Sequence, residues 1–214
     1  MNASSSVSDR AMRLCRGATE IGQTLSAPQS RELLRFLDLL VQWNRAYNLT
    51  AVRDPQEMVA RHLLDSLTVR PFLFGDRILD LGTGAGLPGL PLALCEPGRR
   101  FWLLDGNGKK IRFVRQAAME LELANLESVH SRIEAYRPAG KFSTIVCRAV
   151  AEIREIRDLA WPLLASPGRL LIMKGRYPAD ELSHPALAEL DREVHSLRVP
   201  FLEGERHLIE IRRE

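Results

Sequence analysis

Apolar residues recur at helical spacing through the first third of the chain. A capping box at Ser26 predicts a helix that ends near Trp43, with four apolar residues on one face: Leu33, Leu37, Leu40 and Val41. A polar break at residues 44–48 follows. The Asp54-Pro55 cap then predicts a second helix with a buried stripe of Val59, Leu63 and Leu67, ended by Pro71 and Gly75. We therefore predict an α-helical extension over residues 1–75, with the serine-rich residues 1–10 disordered.

From residue 77 onward, strand-like and helix-like patterns alternate. The predicted strands cover residues 77–81, 101–105, 126–130, 142–147 and 169–174. The predicted helices cover residues 87–95, 108–123, 152–165 and 178–190. Segments 193–199 and 206–212 lack a helical period, which favours a closing antiparallel pair of strands. The alternation predicts an α/β domain over residues 76–214, with a mostly parallel, seven-stranded sheet that binds ligands at the carboxyl ends of its strands.

One glycine-rich loop carries the strongest chemical information in the chain. Residues 82–89, with the sequence Gly-Thr-Gly-Ala-Gly-Leu-Pro-Gly, directly follow the first predicted strand. The second predicted strand ends in Asp105, about twenty residues beyond the first glycines. Strand, glycine loop, helix, strand and terminal acid is the layout of a nucleotide-binding βαβ unit.

Two ligands fit this layout, and a plain strand-to-helix turn is the third interpretation. The spacing Gly84-x-Gly86-x-x-Gly89 matches the dinucleotide fingerprint, in which backbone N–H groups hold a pyrophosphate. Asp80, at the end of the first strand, would repel such an anion, and Pro88 removes a backbone donor. S-adenosylmethionine has no phosphate and carries cationic sulfonium and ammonium groups. The pattern therefore favours S-adenosylmethionine, with its ribose hydroxyls donating to Asp105.

Composition and charge narrow the class only slightly. The 214 residues are 45% hydrophobic and 27% charged, which is typical of a soluble globular protein. A net charge of +3 permits a nucleic-acid partner without requiring one. Cys15, Cys95 and Cys147 lie far apart without metal-ligand spacing, so we predict reduced thiols in a cytoplasmic protein and no metal. No apolar run approaches the roughly 18 residues that span a bilayer, so no membrane partner is expected.

Several polar residues outside the loop are candidates for ligand contacts, and each has an ordinary structural alternative. His62, Asp65 and Ser66 share one helical face, which would either lie across the pocket mouth or be solvated. Arg148 ends the fourth predicted strand, at the edge where ligands bind. Lys174 ends the fifth strand and would contact phosphate or solvent.

A cluster of positive charge follows the second predicted strand. Four cations occur within seven residues: Lys109, Lys110, Arg112 and Arg115. Such a cluster is usually a solvated helix face. Because this one begins beside the predicted cofactor edge, phosphate contacts by some of its members are a second interpretation.

Seven motifs, in order along the chain, resemble those of one protein family. They are residues 43–50 (Trp-Asn-Arg-Ala-Tyr-Asn-Leu-Thr), residues 61–66, the loop 82–89, residues 131–134, Arg148-Ala149, Lys174-Gly175 and residues 203–207. With them the chain, from about Leu25 to Arg212, resembles the bacterial ribosomal RNA small-subunit methyltransferase G family, also called glucose-inhibited division protein B.

The resemblance implies a fold, an activity and a set of contacts. The implied fold is the class I S-adenosylmethionine-dependent methyltransferase fold, a Rossmann-like sheet. The implied reaction is N7-methylation of one guanine in the decoding-region loop of 16S ribosomal RNA, with the RNA or the small ribosomal subunit as partner. The predicted cofactor contacts, including those taken from the glycine loop, are Gly82, Gly84, Leu87, Asp105, Ile133, Glu134 and Arg148. The predicted substrate contacts are His62, Asp65, Lys109, Lys110 and Lys174.

The sequence departs from the family pattern at one place, directly after Asp105. The family usually has Ser or Leu before its basic helix, whereas this chain has Gly106-Asn107-Gly108. The departure would loosen the loop beside the ribose but leaves the acid in place.

No catalytic side chain is predicted, because guanine N7 already has an in-plane lone pair and needs no general base. A carboxylate such as Asp80 could stabilise the charge that guanine gains. One alternative is an RNA cytosine-C5 methyltransferase with Cys147 as nucleophile, although the Pro-Cys context of such enzymes is missing. A second is an NAD-dependent oxidoreductase, for which no substrate domain remains, and a third is an RNA-binding module with a vestigial pocket. We also predict a monomer.

Overall fold

Seven strands form one sheet in the computed structural model, which describes residues 3–148 and 151–214. In chain order the strands are β1 (Arg77–Leu81), β2 (Arg100–Asp105), β3 (Leu126–His130), β4 (Phe142–Arg148), β5 (Leu164–Lys174), β6 (Arg192–Ser196) and β7 (His207–Arg213). Their spatial order is β3-β2-β1-β4-β5-β7-β6. Strands β1 to β5 are parallel, and β7 runs antiparallel to both β5 and β6. The predicted α/β class and the closing antiparallel pair are confirmed.

The helices precede the sheet or connect its strands. They are α1 (Ala3–Glu20), α2 (Ala27–Tyr47), α3 (Pro55–Met58), α4 (Asp65–Leu67), α5 (Gly89–Cys95), α6 (Gly108–Glu120), α7 (Ile153–Ala160) and α8 (Ala179–Leu182). A π-helix, Val59–Leu64, joins α3 to α4. Of the helices in the described ranges, none is both long enough and apolar enough to cross a lipid bilayer.

Two predicted helices are too long, and proline explains both differences. The helix predicted over 152–165 ends at Ala160, two residues before Pro162, and β5 begins at Leu164. The helix predicted over 178–190 contains only α8 and a 3-10 turn that starts at Pro185. Proline lacks the N–H donor that would continue the helical hydrogen-bond pattern, so neither helix continues through its proline.

The amino-terminal residues form a helix where the sequence predicted disorder. The guanidinium of Arg10 is buried and donates to the carboxylate of Asp38 in α2 at 2.6 Å. Leu14 and Ala18, one and two turns later, are almost fully buried. These contacts anchor α1 from Arg10 onward, and the helix begins at Ala3. Met1 and Asn2 lie outside the described residues.

Helix α2 extends beyond the predicted end at Trp43 and includes most of the predicted polar break. The side chain of Asn44 is buried and makes two hydrogen bonds with the backbone of Thr50, one accepted at 2.9 Å and one donated at 3.0 Å. The helix ends at Asn48, which adopts a left-handed conformation with φ of 49°. Asn44 therefore has a partner that the local pattern did not reveal.

Apolar side chains cover both faces of the sheet. One cluster joins α1, α2, the π-helix, α5 and α6 to the face that carries Ile78 and Phe101. The other joins α7 to the face that carries Leu79 and Ile145. The amino-terminal helices thus share a core with the sheet. The boundary near residue 75 between a helical extension and an α/β domain stays a prediction.

The order of the strands creates a crevice at the carboxyl end of β1. From β1 the chain builds β2 and β3 on one side and then crosses to build β4 and β5 on the other. Ligands of open α/β sheets bind at such a switch point. The connections that follow the two adjacent strands run to opposite sides of the sheet, which leaves a crevice between them. The glycine loop follows β1 at this point.

Asp80, the fourth residue of β1, fastens the glycine loop from beneath. Its carboxylate is fully buried, and Oδ2 accepts hydrogen bonds from Thr83 Oγ1 at 2.6 Å and from the Gly89 N–H at 2.8 Å. A Cβ at Gly89 would come within 2.7 Å of Oδ2, so this approach requires glycine. Asp80 therefore holds both ends of the loop. The hypothesis that its carboxylate faces the ligand is wrong.

Replacing Asp80 with asparagine should change how stability depends on pH. Burial raises the pKa of Asp80 from 3.8 to about 6, although hydrogen bonds from Thr83 and Gly89 act in the opposite direction. Because the folded-state pKa is the higher one, this contribution to stability is complete below about pH 4 and is lost as the pH rises through 6. The difference in the free energy of unfolding between wild type and Asp80→Asn, in favour of the wild type, should therefore fall by on the order of 2 kcal/mol between about pH 4.5 and about pH 8.

Urea denaturation of both proteins at the two pH values measures this difference. The asparagine carbonyl can accept both hydrogen bonds but does not titrate, so the loop keeps its shape in the variant. Asp76→Asn, at an exposed carboxylate on the opposite edge of the sheet, is the control. Parallel pH profiles for wild type and Asp80→Asn would contradict the assignment.

Candidate cofactor and substrate cavities

A cavity of about 610 Å³ opens above the carboxyl ends of β1, β2, β3 and β4. All seven predicted cofactor residues line it: Gly82, Gly84, Leu87, Asp105, Ile133, Glu134 and Arg148. Leu49 and Thr50, from the segment after α2, form part of its wall. The fold thus brings together residues that are separated by as many as 110 positions in the sequence, from Leu49 to Leu159.

The backbone amides of the glycine loop already donate to acceptors within the protein. Six of them do so at 2.8–3.0 Å: those of Gly82, Thr83, Gly84, Gly86, Leu87 and Gly89. The acceptors are the carbonyl oxygens of Thr83 and Leu104 and the carboxylates of Asp80 and Asp105. A pyrophosphate bound in the dinucleotide manner would have to displace these bonds.

The shape of the loop depends on glycine. Gly84 and Gly86 have φ angles of 59° and 81°, in the left-handed region that side chains disfavour. A Cβ at Gly86 would also collide with the Leu90 side chain, at 2.3 Å from Cδ1. The glycines therefore let the chain turn sharply enough for the two carboxylates to reach its amides.

Asp105 links the loop to the next strand and also lines the cavity. Its Oδ2 accepts from the Gly84 N–H at 2.9 Å, and its Oδ1 accepts from the Asn107 N–H at 2.7 Å. Asn107 in turn caps α6 by accepting from the Lys109 N–H at 3.0 Å. The departure from the family pattern at Gly106-Asn107-Gly108 therefore forms a helix cap, and the loop beside Asp105 is not loosened.

The cavity suits a ligand that carries both signs of charge and an apolar portion. Two carboxylates, of Asp105 and Glu134, and two cations, of Lys110 and Arg148, line it. Apolar side chains such as that of Ile133 form the rest of the wall. S-adenosylmethionine has an aromatic base, a ribose diol, a cationic sulfonium and a zwitterionic amino acid, so the residues present fit it.

A second cavity, of about 310 Å³, adjoins the first. Three predicted substrate residues, His62, Asp65 and Lys174, line it, and Arg148 lines both cavities. Nε2 of His62 lies 3.0 Å from Oγ1 of Thr50, which lines the first cavity. The partition between the cavities therefore contains Arg148 and this hydrogen-bonded pair.

Asp65 is a buried carboxylate that lines the second cavity and pairs with two arginines. Arg148 Nη1 donates to its Oδ2 at 3.3 Å, and Arg206 Nε donates to its Oδ1 at 3.1 Å. Arg148 also donates to the carbonyl oxygen of Arg61 at 3.2 Å. One carboxylate thereby joins the end of β4 to the segment before β7.

His62 is neutral at physiological pH. Burial, and next the positive charge of Arg148, lower its pKa from 6.5 to about 4. Its Nδ1 is buried and has no hydrogen-bond partner among the described residues. His62 and Asp65 were predicted on a helical face at the pocket mouth. The structure instead buries both, together with Ser66, which lines neither cavity.

The predicted lysines fall in three different environments. Lys110 lines the first cavity, whereas Lys109 lies outside both, on the exposed side of α6 near Arg112. Lys174 Nζ donates to both carboxylate oxygens of Glu181, at 2.8 and 2.7 Å. The charge of Lys174 is therefore paired within the protein.

Cys147 lies in the core beneath the first cavity. It is fully buried on β4 and belongs to the apolar cluster beside α7. It does not line the first cavity, although its neighbour Arg148 does. The strand directs successive side chains to opposite faces, which separates the thiol from the arginine.

Sequence reasoning overlooked two residues of these cavities. Thr50 and Arg206 were noted only as members of motifs, without a role. Both lie in loops that carry no periodic pattern, so their positions follow only from tertiary contacts with His62 and Asp65. Ala149, also in a quoted motif, lies outside the described residues.

Comparison with known proteins gives a consistent result. The family described as "GidB: rRNA small subunit methyltransferase G" matches residues 29–209. Among curated proteins, Ribosomal RNA small subunit methyltransferase G of Ectopseudomonas mendocina is 53% identical over 206 residues, covering 95% of this chain and 96% of that one. The protein of the same name from Methylococcus capsulatus is 52% identical over 198 residues, covering 92% and 96%.

Solved structures resemble the fold at low sequence identity. A SAM-dependent O-methyltransferase from Thermotoga maritima has a TM-score of 0.60 and 15% identity, covering 84% of this chain and 71% of that one. The N-methyltransferase NodS from Bradyrhizobium japonicum, in complex with S-adenosyl-L-homocysteine, has a TM-score of 0.56 and 15% identity, covering 80% and 96%. The chain has the predicted class I S-adenosylmethionine-dependent methyltransferase fold, and it belongs to the rRNA small subunit methyltransferase G family, as the order of its motifs predicts.

Proposed function

We propose that this protein transfers the methyl group of S-adenosylmethionine to N7 of one guanine in the decoding-region loop of 16S ribosomal RNA. Family membership supports the reaction class and the RNA. One observation of the structure supports S-adenosylmethionine as the methyl donor. Six loop amides are bonded inside the protein, and the cavity above them offers carboxylates and glycine backbone to a ligand without phosphate.

The seven cavity residues would hold the cofactor by ordinary contacts. Asp105 would accept hydrogen bonds from the ribose hydroxyls, Ile133 would pack against the adenine, and Glu134 would lie near its exocyclic amine. Gly82, Gly84 and Leu87 let the cofactor approach the backbone closely. The two signs of charge on the cavity wall complement the amino and carboxylate groups of its methionine end.

The cofactor supplies an electrophilic methyl group on a positively charged sulfur. Transfer of this methyl group to the lone pair of guanine N7 would form an N–C bond, break the C–S bond, and leave the sulfur neutral and the purine positively charged. N7 loses no proton, so no side chain acts as a base. The protein acts by orienting the base, which contributes up to about 7–11 kcal/mol in favourable cases.

The RNA must present the target base outside a regular helix. N7 of a paired guanine lies in the deep, narrow groove of A-form RNA, which side chains cannot enter. The target is therefore a loop nucleotide or one that is flipped out. Exposed cations of α6, such as Lys109 and Arg112, contact phosphates near the first cavity. Lys174 pairs with Glu181 at the end of β5, and its predicted substrate contact stays a prediction.

The small ribosomal subunit or its 16S RNA is the partner in this proposal, and the cytoplasm is its location. That the protein works as a monomer without a metal stays a prediction.

The alternative functions have less support. An NAD-dependent oxidoreductase would need loop amides that are available to a pyrophosphate. A cytosine-C5 methyltransferase would need its thiol in the cavity, whereas Cys147 is buried in the core. An RNA-binding module with a vestigial pocket would have no need for the intact glycine loop and Asp105.

The cofactor assignment predicts selective binding. Isothermal titration calorimetry should detect S-adenosylhomocysteine but not NADH. Asp105→Asn should weaken this binding about tenfold, because a charge-assisted hydrogen bond to the ribose is lost. Asp76→Asn, at the opposite edge of the sheet, should bind as the wild type does. Tight NADH binding, with S-adenosylhomocysteine ignored, would refute the assignment.

The reaction predicts one modified position in the cell. Mass-spectrometric mapping of 16S ribosomal RNA should find 7-methylguanine in the decoding-region loop of cells that carry this gene. Deletion of the gene should remove that single methyl group, and the wild-type gene should restore it. A modification pattern that does not change on deletion would rule out the proposed reaction.

The position of Cys147 predicts that its thiol is dispensable. Cys147→Ala should retain methyl transfer within about twofold, because no covalent attack on the base is needed. Methyl incorporation into small ribosomal subunits from tritiated S-adenosylmethionine measures this. If the variant folds and binds S-adenosylhomocysteine but has lost activity, the cytosine mechanism returns to consideration.

A further inference from the structure

The second cavity lies one side chain away from the first. Arg148 lines both, and the Thr50–His62 hydrogen bond completes the partition between them. Its volume of about 310 Å³ lies at the lower end of the range of small-molecule pockets. A planar base in the second cavity would thus meet the cofactor cavity at Arg148.

The polar groups of this cavity are arranged around one carboxylate. Asp65 is about 5% exposed, and each of its oxygens accepts one hydrogen bond from an arginine. A carboxylate offers about four acceptor sites, so capacity remains on both oxygens. Burying charged groups costs several kcal/mol per ion. The buried ion pairs of Asp65 with its two arginines are therefore weak evidence that Asp65 stabilises the fold. A role in recognition explains why the acid lies at a cavity.

We propose that the second cavity binds the target nucleobase and selects guanine. Asp65 accepts hydrogen bonds from the N1–H and the 2-amino group of the base. Arg148, in the partition, donates to O6, which is adjacent to the N7 that faces the first cavity. This inference rests on the proposed function and deepens it, since it names the residues that choose the base.

The donor and acceptor pattern explains why guanine is selected. Adenine would turn its 6-amino donor toward the guanidinium of Arg148 and a bare N1 acceptor toward the carboxylate of Asp65. Both contacts would be repulsive or unpaired, and unpaired polar groups in a buried site are costly. Guanidinium donation to O6 of guanine is also a common contact in nucleic-acid recognition.

Arg206 is the positioning residue of this pocket. It comes from the segment before β7 and fixes Oδ1 of Asp65 at 3.1 Å, whereas Arg148 fixes Oδ2. With one guanidinium on each oxygen, the plane of the carboxylate is set before a base arrives. Preorganisation of this kind reduces the entropy lost on binding.

Inosine at the target position tests the contact to Asp65. Inosine keeps N7, O6 and N1–H but lacks the 2-amino group. Small ribosomal subunits reconstituted with guanine or inosine at the target are methylated with tritiated S-adenosylmethionine, and kcat/KM is compared. The wild type should prefer guanine about tenfold. In Asp65→Asn this preference should fall to near one. The Kd for S-adenosylhomocysteine, measured in parallel, reports separately any effect that Arg148 transmits to the cofactor cavity.

Asp38→Asn is the matched control. Asp38 also pairs with an arginine, Arg10, but lies on α2 outside both cavities, so its variant should keep the guanine preference. Arg206→Gln leaves Asp65 in place and removes one of its anchors. It should lower kcat/KM on guanine subunits at least fivefold with unchanged cofactor binding. Thermal melting by circular dichroism establishes that each variant is folded.

The outcomes separate the pocket from the reaction. If Asp65→Asn folds, binds S-adenosylhomocysteine and still prefers guanine about tenfold, the pocket assignment is overturned and the reaction stands. If Asp65→Asn does not fold, Arg206→Gln decides, and wild-type kcat/KM in that variant overturns the assignment. If the wild type itself methylates no guanine, the proposed function fails first.

Discussion

The geometry of the site depends on two carboxylates beneath and beside one loop. Asp80 accepts from the Gly89 amide and Asp105 accepts from the Gly84 amide, so that acids at the ends of neighbouring strands hold the glycine loop closed. A buried backbone N–H without a partner is costly, which makes these bonds obligatory once the loop is formed. Because these amides already have hydrogen-bond partners inside the protein, a ligand in the cavity above them is recognised by the shape of the cavity and by the charges of its side chains. That constraint sets which nucleotides the crevice accepts.

The helices before the sheet are part of the site as well as of the core. Phe36 and Trp43 of α2 pack against Phe113 of α6, with ring centroids 6.2 and 5.7 Å apart, which fixes the end of α2 over the sheet. The Asn44 side chain then holds Thr50 at the cavity wall. The π-helix that follows brings His62 to the same wall, and π-helical turns are frequent at functional sites. A helical extension that only covered apolar surface would not supply these polar groups.

The strands, their mostly parallel arrangement, and the glycine loop with Asp105 could be predicted, because glycine spacing and terminal acids are local patterns tied to the ends of strands. Ile133, Glu134 and Arg148, which also line the first cavity, were named from the family resemblance. The second cavity could be predicted only in part. His62 and Asp65 were noticed through their spacing, but their burial depends on Thr50 and Arg206, which come from aperiodic loops. The helical state of α1 could not be read from its serine-rich start, since the contacts of Arg10 and Leu14 that anchor the helix are tertiary. The role of Asp80 was misjudged for a related reason: a strand-end acid can turn beneath the loop as well as above it.

Arg148 belongs to both cavities, and this shared wall has a thermodynamic consequence. A ligand that attracts the guanidinium of Arg148 from one cavity changes the affinity of the other cavity for its own ligand. Linkage then requires the influence to be mutual: the factor by which the first guest changes the affinity of the second equals the factor in the reverse direction. Ligand binding in the two cavities would therefore be coupled in both directions through a single side chain at the end of β4.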